Sequence, residues 1–286
     1  AQGRIVGEVI VPDERIAAVM FTGSTETGTR ISQTLAERGG DQVPLIAETG
    51  GQNCMIVDST ALPEQVVDDV ISSGFQSAGQ RCSALRVLFL QDDIADKVIS
   101  MLKGALAELY VGNPAKLSTD IGPVIDQKAL DALNAHSDYM KTNGKLLYQC
   151  CLFGEKSSDS NDENHKESGV AANKNNDQDG HFFFAPRLYE ISDIDVLTKE
   201  VFGPCVHIVR FKGNEIEQVV EKINSTGFGL TMGIHTRIEY RAMELAQLSR
   251  AGNVYINRNM IGATVGVQPF GGRGLSGTGH KAGGPN

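Results

Sequence analysis

The chain has 286 residues, 41% of them hydrophobic, and a formal net charge of −9. That length supports a large core or two domains, and an acidic chain without a basic patch excludes nucleic acid as a partner. No apolar run approaches the roughly 18 residues of a membrane span, so no direct membrane insertion is expected; with no signal-peptide pattern and five cysteines lacking framework spacing, reduced thiols and a cytoplasmic setting are expected.

Residues 2–11 fit helix or strand equally, and Pro12-Asp13 ends them. Ala17–Phe21 reads as a buried strand. It runs into Thr22-Gly-Ser-Thr-Glu-Thr-Gly28 and a helix with Ile31 and Leu35 on one face. Val43–Ala47 and Met55–Val57 are further short apolar runs. Pro63, suited to a first helical turn, opens a helix whose Val66, Val67, Val70, Ile71, Gly74, Phe75 and Ala78 form one apolar face, with Gly79 at its end. Arg86–Leu90 is a buried strand. Helices follow near 94–109 and 128–140, then a strand at 145–149. The adjacent Cys150 and Cys151 suit a strand better than a metal site, and six histidines show no metal spacing with cysteine, so no metal is expected. Strands at 206–211, 231–235 and 253–256 alternate with helices at 215–223 and 238–248. The last thirty residues hold nine glycines and read as extended loops. Such alternation indicates a parallel sheet with helical crossovers, an α/β fold. Residues 155–180, almost devoid of apolar side chains, read as a disordered surface insertion.

Several stretches have chemical potential, each open to a plainer reading. Cys82 lies in a polar turn between a buried helix and a buried strand, where reactive groups are often presented, yet a structural cysteine would fit equally. A helix C-terminus disfavours a thiolate, so Arg81 or a cofactor would have to supply positive potential. The Gly23–Gly28 turn joins a strand to a helix N-terminus, a geometry suited to phosphate or simply to capping. There Glu26 must point away from any phosphate. Glu48, at a strand end beside glycines, suits a general base with a raised pKa or a solvated charge. Glu200 and Phe202 could accept from a ribose and underlie a flat heterocycle. The glycine-rich 261–272 stretch could hold a carboxylate on its backbone N–H groups.

Phe21-Thr-Gly-Ser-Thr25, Glu48-Thr-Gly-Gly51, Gly79-Gln-Arg-Cys82, Glu200-Val-Phe-Gly-Pro204 and Pro269-Phe-Gly-Gly272 stand in the order and spacing of the aldehyde dehydrogenase superfamily. Ala47-Glu-Thr-Gly-Gly-Gln-Asn53, Gly79-Gln-Arg-Cys-Ser-Ala84 and Ile261-Gly-Ala-Thr-Val-Gly-Val-Gln-Pro-Phe270 resemble, more narrowly, its L-glutamate γ-semialdehyde dehydrogenases, in particular the domain fused to a proline dehydrogenase in proline utilization A proteins. The resemblance implies NAD as cofactor and a small aldehyde as substrate. It implies Cys82 as nucleophile and Glu48 as base. Gly23 and Ser24 would contact the pyrophosphate, Glu200 the nicotinamide ribose with Phe202 beside it. Ser83, Gly262 and Ala263 would anchor a substrate carboxylate, and Phe270 would pack on its methylene chain. An aldehyde dehydrogenase-like fold follows: a partial Rossmann-like cofactor domain at 1–49 and an α/β catalytic domain at 50–286. A homo-oligomeric parent protein carrying a proline dehydrogenase domain is expected. The family's oxyanion-hole asparagine and cofactor-ribose lysine precede its Gly-Ser-Thr turn and have no counterpart here, so an internal fragment is expected. A dehydrogenase for another ω-semialdehyde, or an inert interaction module, is the alternative.

Overall fold

The computed structural model describes residues 3–153, 182–264 and 266–279. The expected insertion at 155–180 therefore lies outside the described residues. In chain order the elements are α1 (Gly3–Ile10), β1 (Val19–Thr22), α2 (Thr25–Glu37), β2 (Leu45–Glu48), β3 (Cys54–Val57), α3 (Pro63–Phe75), β4 (Val87–Gln91), α4 (Asp92–Glu108), α5 (Gln127–Asn143), β5 (Lys145–Gln149), β6 (Arg187–Glu190), β7 (Cys205–Phe211), α6 (Ile216–Ser225), β8 (Phe228–Gly229), β9 (Thr231–His235), α7 (Glu239–Leu248), β10 (Asn253–Ile256) and β11 (Arg273–Gly274).

Seven strands form one sheet in the order β10-β9-β3-β4-β7-β6-β5, parallel throughout except for β5, which pairs antiparallel at an edge. Its centre is built from uninterrupted apolar runs, and every residue of β3, β4 and β9 is buried, as a parallel sheet covered on both faces requires. Helix α3 packs on α4, and α6 on α7. A separate parallel pair joins β1 to β2, with Val19 opposite Leu45 and Thr22 opposite Glu48. The mixed α/β architecture agrees with the sequence reading.

Caps and turns explain most element boundaries. Ser24 caps α2 by accepting from Thr27 N–H at 3.2 Å, and Asp126 caps α5 through Ala129 N–H at 2.8 Å, each satisfying a first-turn donor. Pro63 stands in the first turn of α3, where its missing N–H leaves no bond unmade.

Several sequence expectations are resolved or corrected. The stretch left open between helix and strand is helical at 3–10, with none of its residues buried and Ile5 and Val9 57% and 70% exposed. The strand expected to be buried at 17–21 is β1, which alternates in exposure and leaves Met20 78% exposed. Helix α3 stops at Phe75, four residues short of Gly79, and a 3-10 turn fills Gln76–Gly79. Strand β6 has no counterpart in the sequence reading because its four residues begin with Arg187 and end with Glu190. Cys150 and Cys151 fall just beyond β5, where the Cys150 thiol donates to Leu106 O at 3.3 Å.

Candidate active site

The site gathers where the C-terminal ends of β1 and β2 adjoin the N-terminal ends of β3, β4 and β7. Gly23 follows β1 and Glu48 closes β2; the Gly50–Asn53 turn precedes β3, Cys82 precedes β4, and Glu200 precedes β7. Ligands of open α/β sheets usually sit at the C-terminal ends of strands. The small sheet presents the C-terminal ends of its strands to this site, and the large sheet its N-terminal ends.

The thiol loop is held by its own strained turn and by two buried side chains. Ser77, Ala78 and Gly79 take consecutive left-handed conformations at φ 56, 53 and 64, which is costly for the two residues with a β-carbon. At Gly79 a β-carbon would come within 2.2 Å of Gly203 O, so only glycine lets the loop rest on the Glu200–Pro204 turn. Asn53 donates from Nδ2 to Cys82 O at 2.6 Å and Ala84 O at 2.9 Å, and accepts from Thr231 N–H at 3.2 Å. Arg86, fully buried, donates to Gly79 O at 2.7 Å and Arg81 O at 3.0 Å, and meets the Glu200 carboxylate at 3.2 Å. Its guanidinium also lies 5.1 Å from the centre of the half-exposed Phe202 ring. Sequence reasoning overlooked both residues. Their signal was a polar side chain immediately before, or opening, a buried apolar strand.

Burial pushes the Cys82 thiol above its ordinary pKa, and the Glu200 and Glu48 carboxylates push it the same way; the N–H groups of Ser83 and Cys82 itself pull against them. Of the two sources of positive potential the sequence allowed, Arg81 or a cofactor, Arg81 does not act on the thiol; its Nε donates to Ser77 Oγ at 3.1 Å. Ser83 is buried beside Cys82, its carbonyl accepting from Thr231 Oγ1 at 3.3 Å. Tyr255, absent from the sequence reading, lies close enough for the Cys82 charge to act on its hydroxyl.

Glu48 is buried. One carboxylate oxygen accepts from Gly272 N–H at 2.9 Å, while the other, also buried, has no hydrogen-bond partner among the described residues. Burial raises its pKa to about 7, the Gly272 N–H opposing. Glu200 is raised by burial too, with Arg86 and Gly51 N–H pulling it down. Its Oε2 stands 1.9 Å from where a β-carbon on Gly50 would lie, so any side chain there must displace the carboxylate.

At the turn after β1, Gly23 N–H is occupied by Glu48 O at 3.1 Å. Gly23 thus contributes its lack of a side chain, since a β-carbon would strike the Phe21 ring at 2.4 Å. The first-turn N–H groups of Thr25 and Glu26 find no acceptor among the described residues. Gly262 takes φ 77 in the loop after β10, with Ala263 half-buried beside it and Phe270 half-buried further on. The structure draws Cys82, Glu48, Glu200 and Phe202 together. Among the described residues, no hydrogen bond or ring contact ties Ala263 or Phe270 to that cluster.

A thiol loop flanked by the buried Glu48 and the half-buried Glu200 carboxylates, where the large sheet meets the β1–β2 pair, is the arrangement of a class of aldehyde-oxidising enzymes, and the chain belongs to the aldehyde dehydrogenase family, whose model matches residues 1–179 and 155–286. Among curated relatives, the bifunctional protein PutA of Klebsiella aerogenes is 50% identical over 99% of this chain and 21% of its own length. The 1-pyrroline-5-carboxylate dehydrogenase of Geobacillus kaustophilus is 32% identical over 99% of this chain and 51% of its own. A crystal structure of bifunctional proline utilization A superposes with a TM-score of 0.88 at 48% identity, covering 100% of this chain and 27% of that one. The 1-pyrroline-5-carboxylate dehydrogenase from Thermus with bound NAD gives 0.82 at 29% identity, covering 97% and 50%. The chain thus spans about a fifth of the length of the PutA relatives.

Proposed function

We propose that this chain carries the catalytic thiol, the base and part of the cofactor site of an NAD-dependent L-glutamate γ-semialdehyde dehydrogenase. The observation that carries this reading is Glu48, a buried carboxylate with one unpartnered oxygen and a pKa near neutrality, whose charge acts on the Cys82 thiol. Such a group can take a proton at neutral pH and later give it up.

In the proposed reaction the Cys82 thiol passes its proton to Glu48, which releases it to solvent, and the sulfur adds to the aldehyde carbon. The carbonyl oxygen becomes an oxyanion. NAD, when bound, supplies a nicotinamide that accepts the hydride leaving this carbon. The carbonyl re-forms as a thioester on Cys82. Glu48 then removes a proton from water, the hydroxide attacks the thioester, and the carboxylate product leaves as the thiol is restored.

The residues present fit the cofactor. The free N–H groups of Thr25 and Glu26 at the α2 N-terminus suit a pyrophosphate, with Gly23 and Ser24 shaping the approach. The exposed Glu26 side chain leaves that end open. Glu200 can accept from ribose hydroxyls, and the Phe202 ring can flank a nicotinamide. For the substrate, we assign its carboxylate to the Ser83, Gly262 and Ala263 backbone region and its methylenes to Phe270. Residues 1–49 are assigned to a cofactor-binding domain and 50–286 to the catalytic one. The names of the PutA and 1-pyrroline-5-carboxylate dehydrogenase relatives support this substrate, and the parent protein is proposed to carry a proline dehydrogenase domain and to form homo-oligomers.

The test is NADH formation by the full-length protein with glutamate semialdehyde and with other ω-semialdehydes. A clear preference for glutamate semialdehyde is expected; equal or better turnover of a longer semialdehyde would move the assignment there.

A further inference from the structure

Helix α3 carries a polar row that its apolar face hides in the sequence. Gln65, Asp69 and Ser73 stand four residues apart and share one side of the helix. Each is directed at a successive part of the loop that leaves β10. Gln65 Nε2 donates to Asn257 O at 2.7 Å. The Asn259 N–H points at the Asp69 carboxylate. Ser73 Oγ, fully buried, accepts from Met260 N–H at 3.0 Å.

The remaining residue of this run is held from β9. The buried His235 ring faces Arg258 O, and its Nε2 lies 3.5 Å from Asp69 Oδ2. Asn257, in the left-handed region at φ 50, exchanges two side-chain bonds with the Thr236 backbone, at 3.0 and 2.9 Å. Four consecutive residues, 257 to 260, are therefore each gripped by a side chain. Two residues later comes Gly262. The other end of α3 runs into the thiol loop, and Ser73 O accepts from Leu85 N–H at 2.9 Å just beyond Cys82.

One rigid helix thus measures the distance between the thiol and the loop beginning at Met260. We propose that Asp69 and Ser73 are positioning residues for substrate choice, holding the 260–263 backbone in register with Cys82 so that an aldehyde bearing a distant carboxylate is received in reacting geometry. The proposal rests on the substrate reading above.

The experiment uses the full-length protein and compares glutamate semialdehyde with propanal, which has no carboxylate. Ser73→Ala and Asp69→Ala should each raise KM for glutamate semialdehyde about tenfold, the worth of one lost hydrogen bond in placing the loop. Turnover at saturation, kcat/KM for propanal and the rate of Cys82 alkylation by iodoacetamide should stay within about twofold, since the thiol and carboxylates are untouched. Asp69→Asn, whose amide oxygen can still accept from Asn259 N–H, should return KM to within about twofold of wild type. Ser73→Ala removes a single oxygen and keeps the test open where Asp69→Ala fails to fold. Equal losses for both aldehydes, or no loss for either, would overturn the proposal while leaving the substrate reading intact. A wild-type protein that does not prefer glutamate semialdehyde would overturn the substrate reading, and the positioning role with it.

Discussion

The Arg86 guanidinium, with none of its side chain exposed, meets the Glu200 carboxylate at 3.2 Å. Burial lowers the pKa of Arg86 and raises that of Glu200, so each charge is held at a cost that the pair only partly offsets. Replacing Arg86 by Leu strands the half-buried Glu200 carboxylate and the Gly79, Arg81 and Gly203 carbonyls, and should destabilise the protein by about 3–5 kcal/mol. The Arg86→Leu/Glu200→Gln double variant should recover part of that loss. Urea unfolding of the four proteins checks the cycle; additive losses would show that the pair is not coupled.

Glu48→Gln should stop turnover at the thioester, because an amide cannot take a proton from water. A burst of NADH followed by a negligible steady state is expected in rapid-mixing kinetics. In the wild-type protein the hydrolytic step should rise with pH through about 7, the pKa to which burial lifts this carboxyl. A full steady-state rate in the variant would dismiss Glu48 as the base.

The same carboxyl affects stability with a definite sign. Its folded pKa lies above the unfolded 4.5, at about 7, so the folded state binds the proton more tightly. The stability this contributes is full below the unfolded value and fades as pH rises through the folded one. Glu48→Gln should abolish that decline, and urea midpoints at about pH 5 and about pH 8 should differ less in the variant than in the wild type. Identical pH slopes would contradict the raised pKa.

Cys82→Ser should abolish dehydrogenase and esterase activity while leaving NAD affinity within a few-fold. Serine fills the same space, but its hydroxyl is far less acidic than even this raised thiol. Retention of about a tenth of wild-type turnover, roughly 1.4 kcal/mol of barrier, would remove Cys82 from the chemistry.

Gly50→Ala drives a β-carbon to 1.9 Å from Glu200 Oε2, and the carboxylate must move. The KM for NAD should rise about tenfold, one ribose hydrogen bond's worth. Iodoacetamide should still alkylate Cys82 at the wild-type rate. An unchanged KM for NAD would mean that Glu200 does not hold the cofactor.

Strand β9, buried at every residue, was legible in the sequence at 231–235, and the edge strand β10 at 253–256, each to the residue. Elements with polar ends or an unpartnered apolar face were not. Strand β6, though paired on both sides, is bounded by Arg187 and Glu190, and α1 carries apolar residues that nothing in the described chain buries, so patterning there was weak or misleading. Within the site, Cys82, Glu48 and Glu200 stood out as motif residues. Asn53 and Arg86 did not, because their partners are mostly backbone carbonyls, whose positions exist only once the strands pair. Arg81 was one of two sources of positive potential the sequence left open, yet the fold aims it at Ser77 and buries Arg86 instead.

The bond from Gly272 N–H to Glu48 closes a span of 224 residues, and Ala47 N–H reaches Thr278 Oγ1 across 231. Asn53 and Cys82 are only 29 apart. Contacts of such different separation form at different times during folding, the distant ones last. Of the contacts that hold the thiol loop, the Asn53 bond to Cys82 therefore forms ahead of those from Asn53 to Thr231 and Arg86 to Glu200, which span 178 and 114 residues. The Glu48 carboxylate acquires its perturbed protonation only when the final strand of backbone lies across β2. During refolding or synthesis, protection of Cys82 from alkylation precedes the return of hydrolysis, and a chain halted before Gly272 has its nucleophile in place without a tuned base to release what the thiol captures.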